Sequence, residues 1–163
     1  MFNIFNKTKE LNFKKTYEAS AEDVWNAWTS PEALKQWWGP KDTSIVECEV
    51  DLRVGGKIVL TMEAGAAMGS YAGTKWPMKG SFTVVEPNSK LSYEAISWTQ
   101  GEEGKSEIEH LTELSLSEVD GKTEMNLKVT IKKSAVNAML ASFGMKFGYD
   151  AQFVKLGELL NKK

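Results

Sequence analysis

A chain of 163 residues, 42% hydrophobic and 26% charged, is the size of one ordinary domain and has enough apolar material to bury a core. A formal net charge of −2 and a pI near 5.6 leave no nucleic-acid footprint, and Arg53 is the only arginine among 20 basic residues, so forked recognition of phosphate or carboxylate is poorly provided for. Cys48 and His110 are the sole cysteine and histidine, which excludes a disulfide within the chain and a Cys/His zinc site.

The opening run Met1-Phe2-Asn3-Ile4-Phe5-Asn6-Lys7 has neither a long apolar core nor a cleavage site, and no stretch reaches the length of a membrane span. The expectation is a cytoplasmic protein with an N-terminal extension over 1–10 and one domain over 11–163. Residues 11–19 alternate as a first strand, with Leu11, Phe13 and Tyr17 on one face. Lys15 shares that face, which reads either as snorkelling at a sheet edge or as a charge facing a cavity. Ser20 is placed to cap a short helix carrying Val24, Ala27 and Trp28, with Asp23 at the position of a returning acid. Ser30-Pro31 opens a second helix that runs to Trp37-Trp38 and stops at Gly39-Pro40.

From Thr43 the period becomes two. Val46, Cys48, Val50 and Leu52 predict a half-buried strand with Cys48 as an inert core thiol, and Gly55-Gly56 turns the chain into a third strand marked by Ile58, Leu60 and Met62. Residues 64–77 break every period and predict a long loop carrying Met68, Tyr71 and Trp76, either a lid or unstructured. A fourth strand is expected over Lys79–Glu86 and a fifth over Lys90–Thr99, where the apolar face switches from Leu91 and Tyr93 to Ile96 and Trp98, as a bulge or twist would do. Two cleaner strands follow. Ile108, His110, Thr112, Leu114 and Leu116 share one face, Asp120-Gly121 makes a hairpin, and Thr123, Met125, Leu127, Val129 and Ile131 alternate back.

Ser134 is placed to cap the last element. There Met145, Tyr149, Phe153, Leu156 and Leu160 recur at helical spacing. A lone amphipathic helix of this length is marginal in water and needs a surface to cover. The reading is an α+β fold: a curved antiparallel sheet of about seven strands wrapped around a long C-terminal helix, with two short helices after the first strand.

Several of these residues carry a family resemblance. They are Ala19 through Val24-Trp25, Trp28 and Pro31, then Trp37-Trp38-Gly39-Pro40 and Val54-Gly55-Gly56-Lys57. Gly80, Val85-Glu86-Pro87 and Leu91 follow, and Gly144-Met145 with Gly148-Tyr149 in the last helix. Together they span about residues 12–161 and resemble the helix-grip fold of the START-like superfamily (Bet v-like, or SRPBCC). Within it the likeness is to homologues of the activator of heat-shock protein 90 ATPase, which usually have Trp where Tyr149 stands. The resemblance implies a cavity between the last helix and the concave face of the sheet. Relatives bind lipids, hormones or polyketides there, some are cyclases or aromatases, and one branch stimulates a chaperone ATPase.

His110 and Thr112 interrupt an apolar inward face. The imidazole reads as a general base, a ligand hydrogen-bond partner, or a core histidine satisfied by one bond. No nucleophile motif and no Gly-rich phosphate loop accompanies it. The aromatics Trp37, Trp38, Tyr71, Trp76, Trp98, Phe143, Phe147, Tyr149 and Phe153 exceed the needs of a small core, and they suit either a ligand wall or packing. Gly144 and Gly148 are spaced for a strand or a bound molecule to approach the helix backbone.

The expected function is binding of a small apolar molecule, lined by Met62, Trp76, His110, Phe147, Tyr149 and Phe153. No metal or cofactor is called for, no catalytic residue beyond the weak candidate His110, and no nucleic-acid partner. The chain is read as a monomer or homodimer. The alternatives are a cyclase, aromatase or hydrolase using His110, and a co-chaperone-like regulator with a chaperone as partner.

Overall fold

The computed structural model describes residues 9–135 and 138–161, and the side chains of all of them except 138–143. Strand β1 (Lys9–Tyr17) leads into the short helices α1 (Ala21–Thr29) and α2 (Pro31–Trp37). Both begin where their caps dictate. The Ser20 hydroxyl accepts from the Asp23 N–H at 3.1 Å, and Ser30 accepts from the Ala33 N–H with Pro31 at the first helical position. A second anchor holds α1. Its Ala21 N–H donates to Glu118 Oε1 at 2.7 Å, a carboxylate at the positive end of the helix.

The other strands are β2 (Thr43–Val50), β3 (Lys57–Ala64), β4 (Lys75–Glu86), β5 (Lys90–Ser97), β6 (Ile108–Val119) and β7 (Lys122–Ser134). A single helical turn, α3 (Glu103–Ser106), lies between β5 and β6, and the long helix α4 (Ala138–Leu160) comes last. All neighbouring strands are antiparallel, in the order β1-β7-β6-β5-β4-β3-β2. The two edges are therefore β1 and β2, and α1–α2 carry the chain from one edge to the other. The β6–β7 hairpin turns on Asp120 and Gly121, at φ 54° and 77°, the left-handed pair that a two-residue turn of this twist requires. The curved sheet grips α4, as the alternation and the helical stripe predict.

Three local expectations are corrected. In β2 the register shifts between Ile45 and Glu47, so Val46 turns outward while Ile45 pairs with Met62 and packs on the core. Cys48 is only half-buried, and burial pushes its thiol pKa up. β4 starts four residues before the expected Lys79. Trp76 and Pro77 are thus strand residues opposite Met62 and Thr61, and the irregular stretch shrinks to a 3-10 segment over Ala66–Tyr71 and a turn. Pro77 is tolerated because the ladder to β5 begins only at Met78. Ser134 ends β7 and is buried; residues 136 and 137, on which its expected capping of the last helix bears, lie outside the described residues. Lys15 is exposed and is not among the residues that line the cavity between α4 and the sheet.

The core sits where α1, α2 and α4 meet the sheet. Trp28 and Trp37 pack edge to face at 5.0 Å, and the Trp37 indole donates to the Ala27 carbonyl at 2.8 Å. Phe153 of α4 lies 5.4 Å from Phe13 of β1 and 5.7 Å from Tyr149. Leu156, Leu160, Met125 and Leu127 complete the contact.

Candidate functional site

The packing that holds the C-terminal part of α4 on the sheet does not extend to Gly144 and Gly148. Between the N-terminal half of the helix and strands β3–β6 lies a cavity of about 510 Å³. Leu60 and Met62 from β3 and Trp76, Pro77 and Met78 from β4 form one wall. Ser97, Trp98 and Thr99 at the end of β5, with Ile108 and His110 of β6, form another. Met68 comes from the 3-10 segment, Trp38 and Pro40 from the end of α2, and Gly144, Met145, Gly148, Tyr149 and Gln152 from α4. The two glycines keep the helix wall thin, since a Cβ placed on either would meet no atom within 4 Å. The sheet therefore does not approach the helix there, and the close strand packing expected of these glycines does not occur.

Four of the six residues singled out from the sequence, Met62, Trp76, His110 and Tyr149, converge on this space. Phe147 does not. It is 84% exposed, because two helical steps from Tyr149 carry it about 200° around the axis to the opposite face. Phe153 is on the correct face but one turn further along, in the core against Phe13, Trp28 and Trp37. Among the other aromatics Trp38 and Trp98 line the cavity, Trp37 is core and Tyr71 is exposed. The side chain of Phe143 lies outside the described residues.

The polar groups are few and under-satisfied. His110 is 1% exposed and shares one hydrogen bond, Nε2 with Ser97 Oγ at 3.0 Å; its Nδ1 has no partner. Burial pulls its pKa down to about 4, so the imidazole is neutral at physiological pH. On the strand pair beside it, Tyr93 stands opposite Thr112, whose side chain interacts with the Tyr93 and Tyr149 phenols without a well-aligned hydrogen bond on Tyr93 or Thr112. Burial pushes the Tyr149 phenol up to about 12 and the Tyr93 phenol well above its ordinary value. A bulge on β7 opposite Glu109 and His110 marks this part of the sheet as irregular.

Gln152 was not anticipated. It sits three residues after Tyr149 on the apolar stripe, and a glutamine at that spacing is the signal that could have found it. Its Oε1 accepts the Gly39 N–H at 2.8 Å, while Lys155 Nζ donates to the Gly39 carbonyl at 3.0 Å. α4 thus clasps both backbone groups of Gly39 and fixes the α2–β2 junction against the cavity rim. Because a backbone N–H can only donate, the amide orientation is settled: Nε2 is left over, buried and without a partner. No Asp, Glu, Lys or Arg lines the cavity among the described residues, and none of them forms a group of three or more His, Cys, Asp or Glu side chains able to hold a metal.

Three comparisons place this geometry among known proteins. The family model described as Activator of Hsp90 ATPase homolog 1-like protein matches residues 18–161. Similar solved structures include a protein from Staphylococcus epidermidis (22% identity, TM-score 0.74, 99% of this chain and 94% of that one). One from Arthrobacter aurescens is 19% identical with a TM-score of 0.76, over 94% of this chain and 87% of that one. The AHSA1 protein from Silicibacter pomeroyi is 17% identical with a TM-score of 0.73, over 94% and 98%. At these identities the likeness speaks for the fold alone. No curated protein matches the chain. No helix among the described residues is long and apolar enough to cross a membrane.

Proposed function

The chain belongs to the Activator of Hsp90 ATPase homolog 1-like family, and from that premise we propose that it binds a small, largely apolar molecule in the cavity between α4 and the sheet. One observation carries the reading: a cavity of about 510 Å³, walled by Trp, Met and Leu, beside which buried polar atoms of His110 and Gln152 have no protein partner. Close-packed interiors leave few voids of this size, and an orphaned buried donor costs about 1–3 kcal/mol, which a bound molecule would recover. The test is native mass spectrometry of the purified protein with a thermal-shift screen of apolar compounds. A co-purifying or stabilising molecule is expected. Neither a bound species nor any shift across the screen would defeat the proposal.

The catalytic alternative has one observation in its favour, the Ser97–His110 pair at nucleophile–base distance. Against it, Nδ1 has no carboxylate to orient the ring, and an imidazole held at about pKa 4 is a weak base at neutral pH. His110→Ala leaving turnover of any discovered substrate unchanged would remove that alternative. The family description is what supports the co-chaperone alternative; pull-down with the cognate chaperone and an ATPase assay decide it. Binding in the cytoplasm, as a monomer or homodimer, remains part of the proposal.

A further inference from the structure

The cavity wall also specifies what kind of molecule fits, an inference that rests on the binding reading above. Four methionines and three tryptophans, Met62, Met68, Met78, Met145, Trp38, Trp76 and Trp98, present soft, polarisable surface suited to flat unsaturated groups. Among the described residues no charged side chain faces the space, so a carboxylate or phosphate entering it would be desolvated without a counter-charge. Lys155, one turn along α4, has its ammonium on the Gly39 carbonyl oxygen instead. The Ser106 hydroxyl is already spent, accepting from the Thr99 N–H and donating to the Glu102 carbonyl. Two buried polar atoms beside the space stay unpartnered, His110 Nδ1 and Gln152 Nε2; with the Gln152 oxygen fixed on Gly39, its nitrogen can only donate, whereas the role of Nδ1 depends on the tautomer.

We propose that the cavity selects an uncharged aromatic molecule bearing a carbonyl or hydroxyl oxygen, and that the Gln152 Nε2–H donates to that oxygen. Gln152 is then the residue that sets specificity, while the methionine and tryptophan wall supplies most of the affinity.

Three naphthalenes of nearly the same shape test this: 2-acetylnaphthalene, its hydrocarbon isostere 2-isopropenylnaphthalene, and 2-naphthoate, titrated calorimetrically against the whole protein at pH 7.5. The ketone should bind roughly fivefold or more tightly than the hydrocarbon, the difference one neutral hydrogen bond makes. The carboxylate should bind at least roughly tenfold more weakly than the ketone. In Gln152→Glu, which keeps an oxygen for the Gly39 N–H but has no amide donor, the ketone's advantage over the hydrocarbon should vanish. Carboxylate binding as tight as ketone binding in the wild-type protein overturns the proposal with no variant needed. So does an unchanged ketone preference in a folded Gln152→Glu protein. Binding of none of the three probes also overturns this proposal, whereas the cavity-binding reading stands or falls separately on the native mass spectrometry and the broad screen.

Discussion

His110 is where a single side chain has measurable consequences. Its folded pKa, about 4, lies below the ordinary 6.5, so between those values the unfolded chain binds more protons than the folded one. Stability is then fully present above about pH 6.5 and falls as the pH drops toward 4. The loss from this group should reach about 2 kcal/mol by pH 5. Urea melts at pH 7.5, 6 and 5 should show that decline in the wild-type protein and a flatter one in His110→Gln. Equal slopes in the two proteins would mean that the imidazole is not buried neutral. His110 was legible in the sequence because it interrupts an apolar alternation. Gln152 is not legible there, because one amide on a helical stripe is common and its clasp on Gly39 joins residues 113 positions apart.

At the level of elements, α4 does two jobs that its sequence separates along its length. The C-terminal half is packed. The N-terminal half carries Gly144 and Gly148 over open space, at a cost in helix propensity of about 1 kcal/mol each relative to Ala. Gly148→Ala should therefore raise stability by about that amount in thermal melts; a drop would show that the space beside it is already filled. The Gly39 junction behaves oppositely. It sits at φ 91°, and an added Cβ would come within 2.6 Å of Thr43 Oγ1 and 3.0 Å of Met62 Sδ. Gly39→Ala should lose about 1–3 kcal/mol, read as a lower denaturant midpoint with an unchanged slope. The caps at Ser20 and Ser30 were readable because capping is decided within four residues. The true start of β4 was not, because Pro77 and the glycines upstream look like loop until β3 supplies a partner strand.

Across the whole molecule, the aromatic cluster of Trp28, Trp37, Trp38 and Phe153 joins α1, α2 and α4 into one body over the sheet. Trp37 is completely buried at its centre, and Trp37→Ala should cost about 3–5 kcal/mol in chemical denaturation. A loss under 1 kcal/mol would mean that the three helices do not depend on one another. Much of this architecture was written along the chain. Seven alternating or punctuated segments, two capped turns of helix and one long apolar stripe admit few arrangements other than a sheet closed over a helix. Those signals are local, repeating every two residues in strands and every three or four in helices, so a linear reading recovers them. The cavity is of another kind. Whether a methionine or tryptophan fills core or faces empty space depends on how far apart two surfaces from distant parts of the chain come to rest. Phe147, Phe153 and Gln152 were therefore sorted only by the tertiary structure, which set the distance between the glycine half of α4 and the strands beneath it.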